Sequence, residues 1–420
     1  MKQHHHQGRV GERRPRSTRT AGLALFAALV LALSACASGT SSSNSGSSGS
    51  GDTIKVMTWA PLKSQLTNYP AITAAATTYG KYINAKGGIN GKKLQVLTCD
   101  EGGTPNKASD CARKAIQEKV VAVISSFGYT GDATIPLLKS ANIAMFGGCC
   151  SNAVADLTSS NSFIMGNGPA YGAALVQHAV DDGKKKIALV AIDGAQSYLV
   201  PAENALKANG LTPNKTVILP ATAQDLSPQA SQALADGTDA VVMFVNADSI
   251  KTFITAYKQI GSTARIYGPQ GNLTEDVVSG FGNLSDGWVT GNSYADITSP
   301  AYADFRDALK KYNAPDMGYN GLDGLGAWAG YTAFADIVKG IDGAVTSKSF
   351  LDAASKASNV DTNGMTAPVD FTTEWSDGPK GYQRLFNRTA TFGTFKDGKL
   401  SPETDKFVDY TNLMLGKPLS

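Results

Sequence analysis

Leu94–Phe146 reads LQVLTCDEGGTPNKASDCARKAIQEKVVAVISSFGYTGDATIPLLKSANIAMF, and this stretch decides the fold. Three short apolar, β-rich runs stand in it: Leu94–Thr98, Val120–Ser125 and Ile143–Phe146. Between them lie segments of helical period over 106–118 and 132–140. Runs this apolar suit strands buried on both faces, and each is followed by a helix long enough to cross over. Ile54–Thr58 and a helical segment over 68–86 begin the series. Repeated strand–helix units require a parallel sheet covered on both sides, with right-handed crossovers.

The pattern then restarts. Lys186–Ile192, Val217–Leu219, Ala240–Val245, Arg265–Tyr267 and Trp288–Thr290 read as strands. Helices are expected near 169–182, 199–209, 228–236, 248–260 and 274–280. Two such series imply an α/β protein of two doubly wound parallel-sheet lobes. Late helices near 300–312, 321–339 and 348–357 bring few strands of their own, so they must pack on a sheet already made. The chain therefore returns between lobes, and a hinge is expected. Trp288 and Trp328 fall in apolar periodic stretches and read as core; Trp375 has no clear place.

The N-terminus has a different logic. Residues 1–35 hold six of the 38 basic side chains and one of the 35 acidic ones. The remainder carries 32 basic and 34 acidic residues, so the formal charge of +3 belongs to the leader. A basic nucleic-acid face loses its support. Ala21–Leu33 is an apolar run of 13 residues, the length of a signal-peptide core and short for a membrane span. Leu33-Ser34-Ala35-Cys36 resembles the lipobox of bacterial lipoproteins. That resemblance implies cleavage before Cys36, acylation of its thiol and new amino group, and a firm hold on the outer face of a membrane. Residues 37–52 are a Ser/Gly tether spanning roughly 20–25 Å.

Beyond the leader, four segments carry a family resemblance in order. They are Asn84–Lys93 (NAKGGINGKK), the Asp100…Pro105…Ala108…Ala112-Arg113-Lys114 series, Tyr267–Gly271 (YGPQG) and Gly318-Tyr319-Asn320. The chain resembles a type I periplasmic (solute) binding protein of the Leu/Ile/Val-binding branch serving ABC importers, over about residues 53–415. The resemblance implies an N-terminal lobe of 53–166 plus 297–367 and a C-terminal lobe of 167–296 plus 368–415. Hinge crossings are expected near Gly166–Gly168, Tyr294–Ile297 and Ala367–Phe371. It further implies a small-molecule ligand, permease subunits as partners, a monomer, and no cofactor.

Ligands of open α/β sheets sit beyond the carboxyl ends of the strands. That rule selects Trp59, Ser125, Ser126, Phe127, Tyr129, Cys150, Ser151, Asn152, Tyr198, Asn246 and Gln270. The resemblance gives a ligand carboxylate to Ser125 or Ser126 and to Cys150–Asn152, an aromatic contact to Tyr198, and a ligand amine to the position of Gln270. The family usually has a glutamate there. A neutral amide cannot ion-pair an ammonium, which disfavours an α-amino acid and leaves amides, organic acids and other polar metabolites open.

Apart from Cys36 the cysteines are Cys99, Cys111, Cys149 and Cys150. In an oxidising compartment they allow three pairings. Cys99–Cys111 is expected from a strand end and the following helix, and Cys149–Cys150 could form a vicinal ring. The only histidine beyond the leader is His178, placed on a helix surface by its pattern, and no C-x-x-C exists, so no metal site is expected. No G-x-S-x-G elbow is present and Gly87–Lys92 misses the P-loop spacing, so the expectation is a binder and not an enzyme such as a hydrolase. A ligand sensor that presents its closed form to a membrane receptor is the second reading.

Overall fold

The computed structural model describes residues 53–419 except Leu66, Thr67, Tyr129, 149–152, Thr222 and Asp405. The leader, Cys36, the tether, Tyr129 and the Cys149–Asn152 stretch therefore lie outside the described residues.

The first sheet has five parallel strands: β1 (Thr53–Ala60), β2 (Lys93–Asp100), β3 (Ala122–Ile124), β4 (Ala144–Phe146) and β5 (Ser162–Phe163), in the order β2-β1-β3-β4-β5. Helices α1 (Pro70–Ala85), α2 (Pro105–Gln117), α3 (Gly131–Ser140) and α4 (Val154–Thr158) connect them. α1 and α2 both begin at a proline, where the missing amide hydrogen costs nothing. Alternation along β1 separates two cores. Ile54 and Val56 pack into one, and Met57 and Trp59 into the other.

The second sheet is built from β6 (Ile187–Ile192), β7 (Lys215–Leu219), β8 (Ala240–Phe244), β9 (Arg265–Pro269) and β10 (Val289–Asn292). It ends in an antiparallel hairpin, β11 (Thr389–Lys396) and β12 (Lys399–Pro402), giving the order β12-β11-β10-β9-β8-β6-β7. The hairpin is a departure from the purely parallel lobe expected. Its strands come about a hundred residues after β10, so no strand–helix rhythm announces them. Helices α5 (Ala170–Asp181), α6 (Leu199–Ala208), α7 (Ser227–Ala233), α8 (Ala247–Ile260) and α9 (Glu275–Val278) cover this sheet. Its two faces again divide by alternation: Ile187, Leu189 and Ala191 on one side, Ala188 and Val190 on the other.

α10 (Ala303–Lys311), α11 (Leu322–Lys339) and α12 (Ser347–Ala354) return to the first lobe and complete its core. Trp328 of α11 stacks on Phe305 at 4.7 Å and meets Tyr79 of α1 edge-on at 4.9 Å. Trp288 is also core, at 2 % exposure. Trp375 is buried in the second lobe with the Arg388 guanidinium 4.8 Å above its ring.

Three chain crossings join the lobes. The first is Met165–Gly168 and the second Asn292–Ala295. The third is drawn out: Val369 and Phe371 belong to the first core, Trp375, Tyr382 and Leu385 to the second, Phe386 to the first again, and the second sheet resumes at Thr389. Between them the chain laps over the edge of β5. The Arg384 guanidinium donates from Nε to Ser162 O at 2.9 Å and lies over the rings of Phe163 and Phe386.

His178 is not a free surface residue. Its half-buried imidazole sits between Asp182 at 3.2 Å and Glu403 at 2.9 Å, tying α5 to the chain just past β12. Burial opposes its protonation, but the two carboxylates outweigh this and raise its pKa.

Cys99, at the end of β2, is joined to Cys111 of α2, with Cα atoms 5.8 Å apart. The loop closed is short, and the chain-entropy argument gives about 3 kcal/mol. The double substitution Cys99→Ala, Cys111→Ala should lower the unfolding free energy of the first lobe by about that amount in a denaturant titration. An unchanged midpoint would remove the disulfide from the account of stability.

Candidate functional site

A cavity of about 280 Å³ opens at the carboxyl ends of both sheets. The first lobe contributes Tyr69, Phe127, Leu322 and Asp323; the hinge contributes Asn167, Gly168 and Ser293. The second lobe supplies the Ile192–Ala195 loop after β6, then Tyr171, Tyr198, Ala221, Phe244, Val245, Asn246, Pro269 and Asn272. Its size is at the small end of ligand pockets, near the roughly 300 Å³ lower bound.

Aromatic rings dominate the wall. Tyr198 stacks on Phe244, with ring centroids 5.9 Å apart, and Tyr171 lies 5.0 Å from Tyr198. Across the cavity Tyr69 meets Phe127 edge-on at 4.9 Å. Backbone bonds fix these rings: Phe127 N donates to Trp59 O at 3.1 Å and Tyr198 N to Ala195 O at 3.1 Å. Burial pushes the Tyr171 hydroxyl well above the ordinary phenol range, so it stays protonated.

Most polar side chains on the wall are already used by the fold. Asn246 Oδ1 accepts from Ser249 N at 2.8 Å and caps α8. Asn272 Nδ2 donates to Val245 O at 3.0 Å. Asn167 Nδ2 donates to Thr389 O at 2.7 Å, and its Oδ1 accepts from Ser293 Oγ. Asp193 is exposed and accepts from Gln196 Nε2 at 2.9 Å. Asp323, in the first turn of α11, has no hydrogen-bonding or ionic side-chain partner among the described residues. Desolvation pushes its carboxyl up to about 6.

Of the residues expected at the site, Phe127, Tyr198 and Asn246 are on this wall. Four others are elsewhere. β1 runs two residues further than expected, so Trp59 pairs with Cys99 and points into the core at 2 % exposure. Ser125 Oγ is 3.3 Å from the carbonyls of Gly326 and Ala327 in α11. The helix comes this close because residue 330 is glycine; a Cβ there would lie 2.1 Å from Ser125 Oγ. Ser126 Oγ accepts from Trp59 N at 2.9 Å and reaches Ile124 O at 3.4 Å. Gln270 makes a reciprocal amide pair with the Tyr294 backbone, donating to its carbonyl at 3.1 Å and accepting from its amide at 3.3 Å. It is a hinge residue, buried at 3 % exposure. Tyr129, Cys150, Ser151 and Asn152 fall outside the described residues.

Tyr69, Tyr171, Phe244 and Asp323 were not anticipated. The strand-end rule names the loop holding Tyr69. Tyr171 and Asp323 belong to first turns of helices whose starts, Gly168-Pro169 and Gly318-Tyr319-Asn320, are visible in the sequence. What hid Asp323 was the ordinary preference for an acid in a helix's first turn.

The family follows from sequence and fold together. Residues 61–385 match the family described as periplasmic binding protein. The chain belongs to the periplasmic binding protein family. No curated protein matches it. Among solved structures, a fatty acid ABC transporter substrate-binding protein from Thermomonospora curvata is similar at TM-score 0.71 and 17 % identity, covering 88 % of this chain and 95 % of that one. A solute-binding protein of an ABC transporter from R. palustris, in complex with 4-hydroxybenzoate, gives 0.69 and 18 %, covering 86 % and 98 %. A leucine-binding protein from Thermotoga maritima gives 0.66 and 16 %, covering 85 % and 99 %. The shared architecture is the type I periplasmic binding protein fold, and the family binds small molecules outside the cytoplasm.

An ionised Asp323 costs the ligand-free fold stability. Its folded pKa is raised, so the cost is absent below about pH 4, grows between about 4 and 6, and is constant above. Partial access through the cavity keeps it below the full conversion of the shift, at about 1–2 kcal/mol. Asp323→Asn should therefore be more stable than the native chain at pH 7.5 by about that amount, with the difference gone at pH 4. Unfolding curves of ligand-free protein across pH check this; a less stable variant at pH 7.5 would contradict it.

Proposed function

We propose that this chain is the extracytoplasmic substrate-binding lipoprotein of an ABC importer. It captures one small metabolite between its lobes by hinge closure. The supporting observation is that one cavity takes walls from both lobes and from two of the three crossings. A ligand there touches both lobes at once, so its binding favours the closed arrangement.

A cross-lobe contact supports closure as the working state. Gly271, at the end of β9, lies against the start of α11 with φ of +83°. A Cβ there would come 2.7 Å from Leu322 N. Glycine permits both the backbone conformation and the approach.

The lipid anchor rests on Leu33–Cys36, and the permease partnership on the family. A receptor-presenting sensor would use the same closure, and no observation favours it over import.

Native mass spectrometry of protein taken from the membranes of its host tests the proposal. The expected result is a chain beginning at an acylated Cys36, carrying one small molecule that is lost on denaturation. An unacylated chain that turns a substrate over and holds no ligand would overturn it.

A further inference from the structure

We infer that the cavity takes a small organic ammonium with an apolar or aromatic body, its charge received by Asp323. This rests on the proposal that the cavity holds the transported ligand, and it names the chemical class.

The argument is one of elimination along the wall. No Lys, Arg or His lines the cavity among the described residues. An acid entering would meet Asp193 and Asp323 without a cation to balance it. Ser125 and Ser126, two hydroxyls expected to receive a ligand carboxylate, face away, Ser125 toward α11 and Ser126 toward β1 and β3. The amide at 270, expected near a ligand amine, is closed off by the Tyr294 backbone. Asn167 and Asn272 donate their Nδ2 groups to backbone carbonyls of the fold, and Asn246 Oδ1 caps α8.

Asp323 stands out on the wall: its carboxyl bonds only its own backbone amide, and the Tyr171 hydroxyl in the same lining has no hydrogen-bond partner among the described residues. A carboxylate without a cation in a desolvated site gains from an ammonium that donates to it. The surrounding rings favour the same charge. Their faces carry negative quadrupole density, which attracts cations and gives nothing to anions. Tyr171, Tyr198 and Phe244 in one group, with Tyr69 and Phe127 in another, also provide the apolar surface for the ligand body. The class differs from the acids named for two of the structural neighbours.

The test is isothermal titration of the purified, ligand-stripped protein with charge-matched pairs. The probes are 2-phenylethylammonium against 3-phenylpropionate, and isopentylammonium against 4-methylpentanoate. Each is titrated into the native chain, Asp323→Asn and Ala195→Trp, the last filling the cavity from the β6 loop. At least one ammonium should bind tenfold or more tightly than its acid twin. Asp323→Asn should erase that preference and Ala195→Trp should abolish binding. Acids binding as tightly as ammoniums, an undiminished ammonium affinity in Asp323→Asn, or no binding of either ammonium would overturn the inference. Binding of any probe that Ala195→Trp leaves unchanged would instead remove the cavity as the ligand site, whatever the charge preference.

Discussion

Two buried asparagines hold the crossings together, and the two-lobed arrangement depends on them. Where a chain leaves one sheet for another, its peptide groups lose their ladder partners, and unpaired buried groups are costly. Asn167 is fully buried in the first crossing, and its side chain bonds Ser293 in the second and Thr389 in the third. Asn387, in the third, donates to Met165 O in the first at 2.9 Å and to Thr366 Oγ1 at 3.1 Å. Gln270 does the same for the Tyr294 backbone, and the Tyr294 hydroxyl donates to Gly148 O at 2.6 Å. Three strands of chain are thereby tied at one level of the molecule. The loops above them, with Tyr69 and Phe127 on one side and Tyr198 on the other, belong to separate cores.

The same economy shapes the cavity. Polar residues near the hinge serve the backbone first, so the wall that faces a ligand is largely aromatic. Asp323 stands out because its carboxyl bonds only its own backbone amide and its ionisation works against the empty fold. Carboxylates held at a cost to stability are characteristic of sites with a task.

Much of this architecture was legible. Fully apolar runs such as Ala240–Val245 can only be buried strands here, and the structure has β8 at Ala240–Phe244. Long amphipathic segments gave α8 and α10 nearly to their ends. What failed was local and has a physical cause. β5 is two residues long and carries no periodicity. The β11–β12 hairpin is sequence-distant from its neighbours, so no strand–helix rhythm announces it. At the site, the strand-end rule found the right loops but could not tell which way a side chain turns. A two-residue extension of β1 sent Trp59 inward, and a glycine in α11, Gly330, let the helix carbonyls take Ser125. Gln270 has the polarity of a ligand contact, but its partner is Tyr294, and only the fold brings that backbone alongside.

The central claim is that the tied crossings act as a hinge and that ligand closes the lobes above it. The distance between spin labels on Lys114 of α2 and Lys207 of α6, both exposed, measures this directly when the labels are attached through unnatural amino acids. Protein stripped of ligand by unfolding and refolding should show a broad distribution extending to longer distances. Returning the co-purified ligand should narrow it to one shorter distance. A single distance, unchanged by ligand, would contradict the account.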